Sequence, residues 1–234
     1  MSGHKIVRSA SIPGPDPEAL STFSRLGVST VHEAMGKSGL VEPVLRPIYP
    51  GARIAGRAVT VLSHPGDNLM IHAVIEQCGE GDVLVVTTTS SSSDGMFGDL
   101  FATALKARGT LGLVINAGVR DVADLTEMGF PAWSRAVHSQ GTNKLNPGSI
   151  NVPVQLPGVT VHPGDAVVAD DDGVVVVPRR LATEVAEKAQ ARAENEAQKR
   201  EQFSQGVLGL DLYNLRPKLE ELNIRYVDAE EADA

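Results

Sequence analysis

The sequence predicts an α/β fold with a long C-terminal helical extension, and three stretches carry that expectation. Residues 82–118 read as strand, helix, strand: the β-branched run "DVLVVTTT", a helix from about Asp99 to Arg108, and the apolar run "GLVINAG". Such a crossover makes the two strands parallel. "AVVADDDGVVVV" is a hairpin signal, with Asp172 and Gly173 expected at the turn. From Arg179 the chain becomes a polar helix, "RRLATEVAEKAQARAENEAQKREQFSQG", whose apolar positions Leu181, Val185 and Ala189 soon give way to Ala among charges. A helix that polar buries little of itself on its own domain, so it is solvated or laid across another subunit. The expected division is an α/β domain over 1–178 and an extension over 179–234 that packs on a neighbouring subunit.

The remaining elements follow in order. "DPEALSTFSRLG" reads as a first helix ending at Gly27, and "STVHEAMGKSG" as a second, with Thr30 and Glu33 at capping-box spacing. "ARIAGRAVTVLS" alternates enough to be a strand. In "GDNLMIHAVIEQCGEGD", Asp67 is an expected N-cap, and Leu69, Ile71, Val74, Ile75 and Cys78 supply a helical stripe. A Ser-rich loop at 90–93 precedes the Asp99 helix. A short helix over roughly 122–129 leads to a further strand in "PAWSRAV", and short β segments fill the region up to the hairpin. Helical and extended pieces end the chain.

The 234 residues suffice for a substantial core, with 42% hydrophobic and 21% charged residues. A net charge of −8 and the lack of a basic stripe argue against nucleic acid as a partner. No apolar run reaches membrane-spanning length, and the N-terminus has no signal-peptide h-region, so a cytoplasmic protein is expected. The single cysteine, Cys78, reads as a small core residue.

The chemistry gathers between Gly95 and Asp121, "GMFGDLFATALKARGTLGLVINAGVRD". In open α/β sheets ligands bind beyond the carboxyl ends of strands. If the strands at 82–89 and 112–118 are neighbours, Asp99, Arg120 and Asp121 face one crevice. Taken singly, each Asp reads as a helix cap worth roughly 1 kcal/mol. Arg120, directly after a buried strand, has no such structural role. Two carboxylates suit a hard divalent cation that keeps several waters. A guanidinium holds a carboxylate or enolate in bidentate fashion. The backbone amides of Gly95, Met96, Phe97 and Gly98 offer a second anion cradle. Together these describe a site for a 2-oxo acid, with a Lewis acid stabilising the enolate left when a C–C bond breaks.

The pattern Gly95-x3-Asp99-x20-Arg120-Asp121 resembles the signature of class II pyruvate aldolases of the 4-hydroxy-4-methyl-2-oxoglutarate / 4-carboxy-4-hydroxy-2-oxoadipate family, whose fold is shared with the regulator of ribonuclease activity A. "GVSTVHEAMGKSGL", "RPIYPGARIAGRAVTV", "PGDNLMIHAVIEQC" and "GDAVVADDDGVVVVP" are similar to family stretches, and the likeness spans roughly 17–225. It implies a swivelling-domain-like fold of α/β/β/α layers. It implies Mg²⁺ or Mn²⁺ bound by Asp121, with Asp99 holding metal-bound water and Arg120 on the pyruvate moiety. It implies a homotrimer or homohexamer in which a Glu from a neighbour's C-terminal helix approaches the metal; Glu196 is the best match and Glu194 the alternative. The implied reaction is retro-aldol cleavage releasing pyruvate in aromatic-compound breakdown, with oxaloacetate decarboxylation as a side reaction.

Other candidates have plainer readings. His32 and Glu33 either line the site or serve the second helix. The run Asp170–Asp172 reads as a hairpin turn, and His72 as an ordinary helix residue. Lys144 is a loop lysine that could also hold a distal substrate carboxylate. A Schiff-base aldolase needs a desolvated lysine, and Lys106 and Lys144 both read as exposed. The competing function is a non-catalytic regulator that binds a ribonuclease, which needs neither the Asp99, Arg120 and Asp121 set nor the C-terminal extension.

Overall fold

The structure, a computed structural model, describes residues 3–228. Residues up to 190 pack as one unit and those from 191 as a second. The first unit opens with helices α1 (Pro17–Leu26) and α2 (Val28–Ala34), then strands β1 (Arg46–Pro47) and β2 (Ile54–Ser63). Helix α3 (Leu69–Val74), strands β3 (Asp82–Thr88) and β4 (Gly95–Phe97), helix α4 (Asp99–Lys106) and strand β5 (Gly112–Val119) follow. Next come α5 (Val122–Glu127), β6 (Ala132–Val137), β7 (Ser149–Ile150), β8 (Val154–Leu156) and β9 (Val159–Val161). The hairpin β10 (Ala166–Asp170) and β11 (Gly173–Val177) leads to α6 (Ala182–Ser204), α7 (Gly209–Leu212) and α8 (Arg216–Glu221).

The main sheet runs β1-β6-β5-β3-β2-β10-β11, with β4 paired to β5 and β7 to β2. The expected crossover is present: β3 and β5 are parallel neighbours, Val83 opposite Gly112 and Val86 opposite Ile115. Alternation along each strand sends one set of side chains inward and the other out. Inward residues Ile54, Val83, Val85, Val114, Trp133 and Val167 pack with Val154, Leu156 and Val161 of the separate β8–β9 hairpin. Outward residues of β3 and β5 meet α3, α4 and α5. Outward residues of β10 and β11 meet α1, α2 and the first turns of α6 through Ala182, Val185 and Ala186. The sheet curls almost into a barrel, because the two ends of the strand order are tied to each other. The indole N–H of Trp133 on β6 donates to the Asp170 carbonyl on β10 at 2.8 Å, and Arg46 of β1 donates to the Asp171 carbonyl at 2.9 Å. The expected layered α/β fold with a C-terminal helix is thus present.

Three local expectations change. The capping box at Thr30 and Glu33 does not form. Helix α2 starts at Val28, and its first amide donates to the Asp170 carboxylate at 2.9 Å. A buried carboxylate from a distant strand takes the role that Thr30 was expected to fill. The hairpin turn is centred on Asp171–Asp172, because Asp170 and Gly173 are already paired across β10 and β11. Residues 95–97 form a strand where a loop and helix start were expected. In the second unit, α6 is polar as read, and no described residue from 191 onward is buried.

Candidate active site

The short strand β4 brings the signature together. It pairs with the end of β5, Gly95 opposite Gly118 and Phe97 opposite Val119, and the Arg120 amide donates to the Phe97 carbonyl at 2.9 Å. Gly98–Asp99 therefore lies alongside Arg120–Asp121. A side chain at Gly98 would meet the Asp121 carboxylate, since an added Cβ would stand 2.2 Å from its Oδ2 and 3.2 Å from Arg120 Cγ. Asp121 itself adopts a left-handed backbone, φ 58° and ψ 39°. Non-glycine residues take that conformation at some cost, and Asp and Asn bear it best.

Neither Asp caps its own helix. Gly98 occupies the N-cap of α4, and Asp121 at the N-cap of α5 makes no side-chain capping bond. The Asp121 Oδ2 instead lies 3.3 Å from the Asp99 amide, which donates to it, and 3.4 Å from Arg120 Nε. The cross-loop arrangement gathers two carboxylates and a guanidinium at one strand end.

Asp99 and Arg120 border a cleft of about 380 Å³ whose wall also includes Asn68, His72, Gly98 and Lys144, and Asp121 adjoins it through its contacts with Arg120 and the Asp99 amide. Phe97 and Phe101 stack beneath it with ring centroids 5.6 Å apart. His72, read from sequence as an ordinary helix residue, forms part of the wall, its ring centroid 4.5 Å from that of Phe101. Partial burial and the nearby Lys144 ammonium hold the His72 imidazole below its ordinary value, favouring the neutral ring. Asn68 was not singled out in the sequence at all. The only signal was its i, i+4 spacing with His72 at the start of α3.

Asp67 does more than cap α3. It is fully inaccessible and accepts Leu69 N through Oδ1 at 2.9 Å. Its Oδ2 accepts Leu145 N at 2.7 Å, Asn146 N at 2.9 Å and the Asn146 amide at 3.1 Å. The Asn68 amide adds a bond to the Asn143 carbonyl at 2.9 Å. Lys144 thus belongs to a loop braced on α3, and its side chain is exposed, as the default reading of a solvated loop lysine expected. Burial alone would raise the Asp67 carboxyl; the four donors outweigh that and hold it below the ordinary Asp value.

Part of the expected amide cradle is already engaged. Gly95 N donates to the Gln140 carbonyl at 2.9 Å and Met96 N to the Asp94 carbonyl at 2.7 Å, while the Met96 and Phe97 side chains are buried. Gly98 and the first turn of α4 line the cleft together with Met96 and Phe97. Other candidates lie elsewhere. His32 meets the Ser38 carbonyl at 3.1 Å, and Glu33 lies 3.9 Å from Lys37, both on α2. Asp171 accepts Gly51 N, and Asp172 accepts the Ser29 hydroxyl, which ties the turn into barrel closure. Lys106 donates to the Met128 carbonyl. Glu196 belongs to the second unit, where it pairs with Arg192 at 2.8 Å.

Among the described residues, no group of three or more His, Cys, Asp and Glu could hold a metal ion. The protein oxygen donors near Arg120 are the two carboxylates Asp99 and Asp121. That donor set fits a hard, water-rich cation such as Mg²⁺ or Mn²⁺ and not a four-ligand zinc site.

A model of the RraA-like family, described as Aldolase/RraA, matches residues 28–176. The chain belongs to the RraA-like family. A protein of Burkholderia multivorans named "Putative 4-hydroxy-4-methyl-2-oxoglutarate aldolase" is 35% identical over 66% of this chain and 96% of its own length. One of the same name from Halalkalibacterium halodurans is 26% identical over 83% of this chain and 92% of its own. Among solved structures, an uncharacterized protein from Pseudomonas syringae pv. tomato has a TM-score of 0.75 at 28% identity, covering 84% of this chain and 97% of that one. Streptomyces coelicolor RraAS2, described as an unusual member of the RNase ES inhibitor RraA protein family, has a TM-score of 0.70 at 31% identity, covering 80% of this chain and 99% of that one. Names of aldolases and of a ribonuclease inhibitor therefore both occur among the relatives of this RraA-like chain.

Proposed function

We propose that the protein is a divalent-metal-dependent lyase that cleaves a 4-hydroxy-2-oxo acid to pyruvate and a second 2-oxo acid. The substrate class is 4-hydroxy-4-methyl-2-oxoglutarate or 4-carboxy-4-hydroxy-2-oxoadipate. The observation that carries this reading is that Arg120, Asp99 and Lys144 line one cleft, with Asp121 held against Arg120 and the Asp99 amide.

Asp121, with Asp99 beside it, would hold Mg²⁺ or Mn²⁺, which would supply Lewis acidity to the pyruvate end of the substrate. Arg120 binds the pyruvate end and offsets the negative charge that grows on it as the C3–C4 bond breaks. The bond's electron pair passes to C3 and is delocalised onto the C2 oxygen. The C4 hydroxyl gives its proton to water held by Asp99 and becomes a carbonyl, and C3 of the enolate takes a proton from water to give pyruvate. Lys144 holds the distal carboxylate and keeps the leaving fragment aligned. Asp99 orients water near the reacting carbons. Loss of CO₂ from oxaloacetate needs the same enolate, so this side reaction belongs to the same site.

The working particle in this reading is a homotrimer or homohexamer of a cytoplasmic protein. Beyond the first turns of α6, which pack on their own domain, the described part of the extension lies on a neighbouring subunit, and Glu196, or Glu194, of a second copy completes the site. In support of a soluble setting, no helix among the described residues is long and apolar enough to cross a membrane. The alternative is a non-catalytic regulator that binds a ribonuclease, suggested by the inhibitor family to which the Streptomyces relative is assigned. One experiment separates the two: oxaloacetate decarboxylation with Mg²⁺, set beside inhibition of a purified ribonuclease. Decarboxylation lost in Arg120→Ala supports the lyase. Ribonuclease inhibition without decarboxylation refutes it.

A further inference from the structure

We infer that Asn68 is the specificity-determining residue for the substrate's 4-hydroxyl group, an inference that rests on the lyase reading above. Its side chain borders the cleft with Arg120 and Lys144, yet the residue is only 8% exposed. The Oδ1 atom is buried and has no hydrogen-bond partner among the described residues. Burying such an oxygen unpaired works against folding, so it calls for an explanation.

Local structure does not supply one. The main chain of Asn68 already does the structural work at the start of α3: its amide donates to the Asn143 carbonyl, and its carbonyl accepts from Ile71 and His72. The side chain makes no capping bond. The neighbouring Asp67 carboxylate serves that end of the helix instead, through Leu69 N.

The chemistry of the ligand class does supply one. A 4-hydroxy-2-oxo acid at neutral pH carries carboxylates and a ketone, all of which only accept hydrogen bonds. Its single donor is the C4 hydroxyl. Two polar groups that line the same cleft match the acceptors: Arg120 and Lys144 are both donors. Of the acceptors in that wall, which include Asp99 and the neutral His72 ring, Asn68 Oδ1 is the one buried without a partner, and the hydroxyl is the ligand's one donor. A site built to hydrogen-bond a hydroxyl discriminates strongly against analogues that lack it, because the buried partner is then left unsatisfied.

The test compares two substrates that give the same pyruvate enolate but differ in this hydroxyl. kcat/KM is measured with Mg²⁺ for 4-hydroxy-4-methyl-2-oxoglutarate cleavage and for oxaloacetate decarboxylation, in the unsubstituted protein, Asn68→Leu and Asn68→Ala. Thermal unfolding is followed in parallel. The expected result is that the ratio of cleavage to decarboxylation falls at least tenfold in both variants. Asn68→Leu, which removes an unpaired buried oxygen at similar volume, keeps or raises the unfolding temperature. An unchanged ratio, whether both activities hold or both fall together, overturns the inference and leaves the lyase reading standing. An unsubstituted protein that decarboxylates oxaloacetate but does not cleave the hydroxy acid overturns both the inference and the reading of the protein as a hydroxy-acid lyase. A folded, unsubstituted protein with neither activity overturns the lyase reading itself.

Discussion

Adding one methyl group at Gly98 tests whether the signature works as a single constellation. The Gly98 backbone has φ −155°, an extended conformation open to any residue, so Gly98→Ala introduces no backbone strain. The new Cβ would stand 2.2 Å from Asp121 Oδ2. Restoring ordinary contact requires the carboxylate to retreat by about 1 Å, a gap at which non-bonded repulsion gives way to attraction. That retreat lengthens the 3.3 Å bond from Asp99 N and the 3.4 Å contact with Arg120 Nε together. The displaced atoms end a side chain that is 32% exposed, so the fold has room to absorb the change. Misplacement of a reacting group by about 1 Å can cost roughly 100-fold in rate. Pyruvate release, coupled to NADH oxidation by lactate dehydrogenase, should therefore fall by about two orders of magnitude. Thermal unfolding should shift by no more than a few °C, the scale of about 1 kcal/mol in a chain of this size. Full activity in Gly98→Ala would refute the reasoning. So would an activity loss accompanied by a large drop in unfolding temperature, which would mark Gly98 as a folding residue only.

Three further outcomes follow from the same structure. Asp121→Asn retains a residue that tolerates the left-handed backbone, so its unfolding temperature should stay within a few °C, while Mg²⁺-dependent pyruvate release should drop at least about 100-fold; near-normal release would remove Asp121 from the site. Asp67 has a folded value below that of an unfolded Asp, about 3.9, so its contribution is fully present above that pH and is lost as pH falls through the folded value. Asp67→Asn should be less stable at neutral pH and lose less on acidification, as read by urea unfolding between pH 7 and pH 3. Equal acid dependence in the two proteins would contradict the brace. Trp133→Phe removes the donor to the Asp170 carbonyl, leaving a buried acceptor unpaired at about 1–1.5 kcal/mol. Differential scanning calorimetry should show a fall of about 2–6 °C, and no shift would argue against that bond as a clasp of the curled sheet.

The sequence made the β3–α4–β5 crossover legible because its signals are local: β-branched runs, bounding glycines and a helix of the right length between them. Asp99, Arg120 and Asp121 could be placed at one crevice for the same reason, since parallel neighbours bring their carboxyl ends together. What stayed hidden depends on distant partners. Strand β4 is three residues long, and its pairing with Gly118 and Val119 has no signature of its own. The capping box at Thr30 and Glu33 yields to Asp170, which reaches Val28 from across the chain. His72 and Asn68 become cleft walls only because Asp67 binds the Leu145 and Asn146 amides and draws the Lys144 loop onto α3. Barrel closure draws on an indole donor and an arginine, and neither is visible as periodicity.

The central claim is that Asp99, Arg120 and Asp121 form one metal-dependent lyase site, and its most direct test is pyruvate release from 4-hydroxy-4-methyl-2-oxoglutarate with Mg²⁺, then with EDTA, then with Mg²⁺ restored. The account predicts release that EDTA abolishes and excess Mg²⁺ recovers. No release from folded protein, or release that EDTA leaves unchanged, would contradict it.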